Sequence, residues 1–380
     1  MIPYGKQSVT RADVQAVASA LRSDWLTQGP RVGDFEKALC RYTGARHAVA
    51  VSSGTAALHL AMLSLGVGPG ETILTSPITF AASANCACYV GARPHFIDID
   101  PKTYQMSAER LEEYLRVESR RRKVRVIIPV HFMGTVPDVR AYSQIGARYG
   151  IPVVEDAAHA LGAAYEHKGA QVRVGSGFHA DVSILSFHPI KHITTGEGGA
   201  LLTNNKRIYE RARRMRHHGI TKDPSRPRWF YDIPELGYNY RLTDFQCALG
   251  LSQLSRIEQF RKARYALVQK YNSAFKRIPE IILPFERPGT TPSYHLYVIQ
   301  VPPKKRQALY DHLFGKGIGT QVNYIPVHLF SFYKRQFGYR LGDYPNAERY
   351  YQRCLSLPLF PGLSSSEQEY IIKQVQGFFR

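Results

Sequence analysis

Short apolar runs alternate with helical stripes along most of the chain. The first stripe lies between Ser8 and Arg22. There Val14, Val17, Ala18 and Leu21 recur at helical spacing behind a capping-type start at Val9–Asp13. The loop Trp25-Leu26-Thr27-Gln28-Gly29-Pro30 leads to a second helix over Val32–Thr43. His47–Val51 reads as a strand and Ala56–Leu65 as a strongly apolar helix. From Thr72 onward the two patterns take turns. Strands are expected at Thr72–Ser76, Arg93–Ile99, Val124–His131, Pro152–Asp156 and Val182–Phe187, and helices at Ala81–Tyr89, Ser107–Leu115 and Val136–Tyr149. Such alternation predicts an α/β fold with a mainly parallel central sheet flanked by helices.

The character then changes. A basic helix is expected at Lys206–His217, and a long helical pattern at Leu242–Tyr271 could bridge two domains. After it come an alternating strand (Ser293–Val301), a helix (Lys304–Lys316), a strand (Gly319–Tyr324) and a last helix (Ser364–Phe379). The pattern divides the chain into a large α/β domain over residues 1–254 and a smaller C-terminal α+β domain over 255–380.

Composition narrows the class only slightly. A chain of 380 residues with 44% hydrophobic and 21% charged residues is ordinary for a globular protein. No run of about 18 apolar residues is present, so no membrane span is expected. Met1–Trp25 lacks the apolar core of a signal peptide. The five cysteines are scattered, and Cys86 and Cys88 have no second pair at zinc spacing; no metal site is expected, and a reducing cytoplasm is the simpler setting. The formal charge of +20 points to an anionic partner: nucleic acid, a membrane or a phosphorylated small molecule. The basic runs at 120–125, 207–216 and 304–306 read equally as solvated faces. No zinc-finger, RNA-recognition or helix-turn-helix signature accompanies them, so no nucleic-acid partner is expected.

The candidate chemistry gathers around Asp181–Gly199, DVSILSFHPIKHITTGEGG. A buried strand ends in a Pro189 loop that presents Lys191. A desolvated lysine loses proton affinity and becomes an amine nucleophile. Asp156 stands at the carboxyl end of another strand, where ligands gather in parallel sheets. Ser52-Ser53-Gly54-Thr55 opens a helix and reads either as an anion cradle or as a plain N-cap. The glycine run Gly66–Gly70 follows a helix rather than a strand, so it is no dinucleotide fingerprint. An amine nucleophile, a buried carboxylate, an anion cradle and an aromatic such as Phe80 together suit pyridoxal 5'-phosphate. His159 and His188 read equally as core histidines, Glu197 as a turn residue, and Tyr324 as packing.

Ser52–Leu58, Glu155–Gly162, Ser186–Gly199 and Gly237–Gly250 resemble the DegT/DnrJ/EryC1/StrS sugar aminotransferases over nearly the whole chain. Within that family, four stretches are most similar to the branch acting on the pathway to pseudaminic acid: Leu26–Gly29, Ser76–Phe80, Ser186–Thr195 and Val322–His328. The resemblance implies the fold-type-I architecture of pyridoxal-phosphate transferases. It implies that Lys191 is the Schiff-base lysine and proton shuttle and that Asp156 pairs with the pyridine nitrogen. His159 would lie by the ring, Phe80 would stack on its other face, and Gly54, Thr55 and Ser186 would hold the phosphate. Asn239 would reach the phosphate of a neighbouring subunit, which implies a homodimer with shared sites. Tyr4, Trp25, Leu26, Thr27, Gln28, Asn323, Tyr324, Ile325 and Pro326 would border a nucleotide sugar. The implied reaction moves an amino group from L-glutamate to C4 of a UDP-4-keto-6-deoxy-N-acetylhexosamine. The alternatives are amination at C3 or on a dTDP-linked sugar, and a basic nucleic-acid-binding or regulatory protein that kept the fold. A dehydratase branch carries histidine in place of the lysine, and Lys191 argues against it.

Overall fold

A computed structural model describes residues 1–118 and 122–380. Of the basic run at 120–125, positions 120 and 121 fall outside the described residues. The strands are β1 (His47–Val51), β2 (Thr72–Thr75), β3 (Arg93–Phe96), β4 (Val124–Ile128), β5 (Val154–Asp156), β6 (Ala164–His167), β7 (Ala170–Arg173), β8 (Val182–Ser186), β9 (Gly199–Thr203), β10 (Thr290–Thr291), β11 (Tyr297–Gln300) and β12 (Cys354–Leu357). Parallel bridges at Ile127–Val153 and Val130–Asp156 join β4 to β5. The large sheet therefore runs β1-β9-β8-β5-β4-β2-β3. Neighbours from β8 to β3 are parallel, and β9 is antiparallel to both β1 and β8. The mainly parallel sheet read from the pattern is present; β9, hidden in the glycine-rich run after Lys191, is its one reversed strand.

Period-two alternation splits these strands between two cores. Ala48, Ala50, Leu185, Ala200 and Leu202 pack on one face with Phe35, Leu39 and Phe187. Val49, Val51, Ile184, Leu201 and Val154 pack on the other with Leu58, Leu60 and Met62. Both faces are covered by helices, so the polar side chains that the central strands do carry are buried, Glu155 and Ser183 pairing with each other at 2.8 Å. A third core gathers Val268, Tyr271, Phe275, Ile299, Leu355 and Ile371 around the β11–β12 pair.

Three expectations are corrected. The stripe Val14–Leu21 does not face the core: Val14 and Leu21 are exposed, and Asp13 and Ala20 are the buried side chains of helix Arg11–Leu21. The buried face is polar because Asp13 accepts hydrogen bonds from Ser252 (2.7 Å), Gln253 (3.0 Å) and Arg256 (2.5 Å). The long pattern Leu242–Tyr271 is two helices, Asp244–Leu254 and Ile257–Phe275. The chain turns at Ser255–Arg256, where Ser255 Oγ bonds back to Ser252 and the Arg256 guanidinium reaches Asp13. Gly319–Tyr324 is not a strand: it carries a single-residue bridge at Gln321, preceded by another at Ile318. Asn323 takes hydrogen bonds from Ser356 Oγ at 2.8 Å and Tyr350 OH at 2.7 Å in place of a continued ladder.

Candidate active site

The carboxyl ends of β5 and β8 meet at the sheet's parallel half. β5 delivers Asp156, which is only 6% exposed. Its Oδ2 accepts from Ser83 Oγ at 2.5 Å, and its Oδ1 accepts from the Ala158 N–H at 3.1 Å. Ser83 is held in turn by Thr79, 2.7 Å away. Among the described residues no cation lies within ion-pairing distance of this carboxylate. A buried carboxylate in that state needs a positive partner, because burial without one is costly.

Lys191 stands beyond β8 in a half-buried loop, with its backbone N–H bonded to His188 O at 2.9 Å. Its Nζ makes no hydrogen bond or ion pair among the described residues. Burial lowers its amine to about 8, and the Asp156 carboxylate pulls the other way. About a tenth of Lys191 is therefore a free amine at pH 7, far more than for an ordinary lysine.

His159 closes the far side. Tyr324 OH lies 3.2 Å from its Nε2, and the rings of His159 and Tyr324 stack at 6.1 Å. His159 Nδ1 is buried without a partner. Burial, with Lys191 and His192 adding repulsion, holds the imidazole well below the usual histidine range, so it is neutral. His295 packs 4.3 Å from it, ring to ring. Phe80 is 61% exposed and faces Tyr324 at 6.3 Å, an aromatic side chain left uncovered beside a polar site.

The helix Gly54–Ser64 begins at the end of β1. Ser53 caps it by accepting from the Ala56 N–H at 3.0 Å, leaving the N–H groups of Gly54 and Thr55 open. A Cβ at Gly54 would sit 3.1 Å from Ser186 Cβ, and one at Gly199 would sit 2.5 Å from the Gly54 nitrogen. Glycine at both positions lets the helix start press against the ends of β8 and β9. Open N–H groups, the helix dipole and the Ser186 hydroxyl form a compact anion cradle.

These residues fit pyridoxal phosphate. The uncompensated Asp156 carboxylate matches a protonated ring nitrogen. His159 Nδ1 has no partner and Phe80 is uncovered, so each has a side free to meet a ring. The cradle suits the phosphate, and the Lys191 amine suits the aldehyde.

The other residues expected at the site lie as follows. Tyr4 lies half-buried beside Tyr324 and raised in pKa by burial. Asn323 turns inward on Ser356; Ile325 is partly exposed, and Pro326 precedes a short turn whose Val327 N–H bonds to Pro77 O at 2.9 Å. Trp25, Leu26, Thr27 and Gln28 are exposed and anchored instead on Asp244, which accepts from the Gly29 and Arg31 N–H groups at 2.8 and 3.0 Å. Asn239 is exposed, bridged to His217 in a loop apart from Lys191. Ser83, His192 and His295 were missed. Ser83 was within reach of the sequence, since Thr79 and Ser83 share one face at helical spacing. Nothing in the local pattern marks the two histidines.

The family model described as DegT/DnrJ/EryC1/StrS aminotransferase matches residues 7–376. A Bacillus subtilis protein named "Spore coat polysaccharide biosynthesis protein SpsC" is 37% identical, over 100% of this chain and 97% of its own length. A Campylobacter jejuni protein named "UDP-4-amino-4,6-dideoxy-N-acetyl-beta-L-altrosamine transaminase" is 38% identical, over 98% of this chain and 96% of its own length. The solved pyridoxal-phosphate form of the Streptococcus pneumoniae protein titled "Putative sugar aminotransferase Spr1654" superposes with a TM-score of 0.90 at 32% identity, covering 99% of this chain and 98% of that one.

Proposed function

The chain belongs to the DegT/DnrJ/EryC1/StrS aminotransferase family, whose members use pyridoxal phosphate, and from that premise we propose a specific reaction. It moves the amino group of L-glutamate to C4 of a UDP-4-keto-6-deoxy-N-acetylhexosamine. The observation that carries this reading is the meeting of Lys191 and Asp156 at adjacent strand ends, on a chain 38% identical to a transaminase named for such a sugar.

Bound pyridoxal phosphate supplies a carbonyl that exchanges the amino group and a ring that takes up electrons from the reacting carbon. Lys191 Nζ holds that group, and once released it acts as the base. It takes the proton from the donor carbon and returns one to the sugar carbon. Its lowered proton affinity suits both directions near neutral pH. Asp156 keeps the ring nitrogen protonated, and Ser83 and the Ala158 N–H fix its carboxylate in place. Gly54, Thr55 and Ser186 bind the phosphate. Asn239 completes the cradle of a second subunit in a homodimer, and the 25–28 loop and residues 323–326 border the sugar nucleotide.

The SpsC relative is matched over the whole chain and its name specifies no sugar. A sister 4-keto sugar is therefore the second reading. The deciding experiment incubates the holoenzyme with glutamate and a panel of UDP- and dTDP-linked 4-keto sugars. Preferred amination of the UDP-N-acetyl substrate at C4 is expected. Turnover confined to a dTDP sugar or to C3 would replace the reading with its sister.

A further inference from the structure

A second pocket of about 630 Å³ shares no lining residue with the group around Lys191. Three cations line it: Lys102 on the turn after β3, and Arg349 and Arg353 on helix Pro345–Arg353. Apolar and aromatic groups form its wall, chiefly Ile282, Phe285 and Tyr104. Ile282 is exposed, although its backbone is fastened to Gln300 by a reciprocal pair of hydrogen bonds of 2.9 and 3.0 Å.

The charge here is unbalanced. No acidic side chain lines the pocket, and among the described residues none of the three cations takes part in an ion pair. The acids nearest in sequence are engaged elsewhere: Glu348, beside Arg349, faces His328 Nε2 at 3.0 Å and accepts from the Gly342 N–H at 2.8 Å. Asp100 accepts from the N–H groups of Lys102 and Thr103 at 2.9 and 2.7 Å, and Glu286 accepts from the Tyr294 hydroxyl. Arg353 Nε is buried with no partner. Lys102 Nζ rests 4.2 Å from the centre of the Phe285 ring.

Three cations lining one pocket, with Arg353 Nε buried and unpartnered, favour an anion that can sit between them. One carboxylate neutralises only a third of that charge, whereas a chain of phosphates can meet all three, and arginine forks match phosphate oxygens. The aromatic wall offers a flat group a face to stack on. The volume lies within the usual range for small-molecule sites. We propose that this pocket binds a nucleoside polyphosphate, with its base against Phe285 and Ile282 and its phosphates on Lys102, Arg349 and Arg353. The proposal does not depend on which sugar the enzyme aminates.

The test is titration calorimetry of the holoenzyme with ATP, beside inorganic tripolyphosphate. One ATP site per chain is expected, binding more tightly than tripolyphosphate. The double variant Arg349→Ala/Arg353→Ala should weaken ATP by about a hundredfold. Phe285→Ala should weaken ATP by about tenfold and leave tripolyphosphate unchanged. Lys102→Ala, on a turn rather than a helix, is an independent charge deletion that should weaken both ATP and tripolyphosphate, and aminotransfer should be unaltered in all variants. No ATP binding at millimolar concentration would overturn the proposal. So would ATP binding that survives loss of both arginines, because the nucleotide would then be seated elsewhere, including beside Lys191.

Discussion

Around Lys191 the chain presents its chemistry from the ends of buried strands, whereas residues 21–29 and 217–241 present apolar side chains to solvent. In the first region Asp156, Ser83 and His159 are buried and held by named hydrogen bonds. In the second, Trp229 is 78% exposed, and Trp25, Tyr231, Ile233 and Leu236 are uncovered as well. Strand ends fix side chains because sheet registry and two packed cores leave them no freedom. Exposed aromatic and aliphatic groups on one side of a chain mark a surface that another chain can bury. The contrast teaches that the strand-end groups are fixed within one chain, while residues 21–29 and 217–241 leave apolar surface uncovered, and it is on this uncovered side that the proposed sharing of Asn239 between subunits can be tested.

The strongest way to break this comparison is at its rigid side. Lys191→Ala should reduce aminotransfer by about a thousandfold or more, since it deletes the proton-transferring group. It should also abolish the absorbance of lysine-attached cofactor while leaving the melting temperature nearly unchanged. Turnover within tenfold of wild type would remove Lys191 from the mechanism. Asp156→Asn comes next, with a loss of about a hundredfold in kcat. The fold should survive, because the amide can keep its acceptor toward Ser83. Near-normal kcat would show that the carboxylate has no catalytic role.

The exposed side yields a smaller effect with a sharper readout. Asn239→Asp sets a carboxylate where a phosphate is expected and should weaken cofactor binding by about tenfold or more. If sites are shared, mixing this variant with Lys191→Ala should restore activity at limiting cofactor. Random pairing makes half of the dimers mixed, and each mixed dimer keeps one intact site, so recovery should approach about a quarter of wild type. Activity no higher than the sum of the separate variants would place Asn239 in its own chain's site or in none.

What was legible in the sequence follows the same contrast. Strand periodicity located β1, β2, β4, β5 and β8 to within a few residues, because buried parallel strands are short apolar runs bounded by turns. The residues at their ends, Asp156 and Lys191, could be singled out for that reason. β9 was missed since it opens on Gly199, a glycine whose role is close approach to Ser53 and Gly54, a requirement set by the neighbouring helix. The outward stripe of Val14 and Leu21 misled because helical periodicity shows that one face is apolar without saying what will cover it. His295 enters the site from beyond residue 290, and no local pattern reports a contact across that separation.

The smallest effect tests the balance of forces at Lys191 itself. Burial lowers its amine to about 8, and Asp156 partly offsets this by favouring the ammonium form. In cofactor-free protein, capture of pyridoxal phosphate should therefore rise with pH about a midpoint near 8, rather than near the ordinary lysine value of about 10.4. His159 and His295 are held neutral by burial and by the nearby Lys191 charge, so neither should add a step in that range. In Asp156→Asn the carboxylate that favours the ammonium is gone, and the midpoint should fall below 8. The same shift sets a stability trend. Between about pH 8 and 10.4 the unfolded lysine keeps a proton that the folded one has lost, so the cofactor-free protein should gain stability as pH rises through that window. A midpoint that rises in Asp156→Asn would mean that the carboxylate does not favour the ammonium form, and the pairing of rigid strand ends would lose its electrostatic basis.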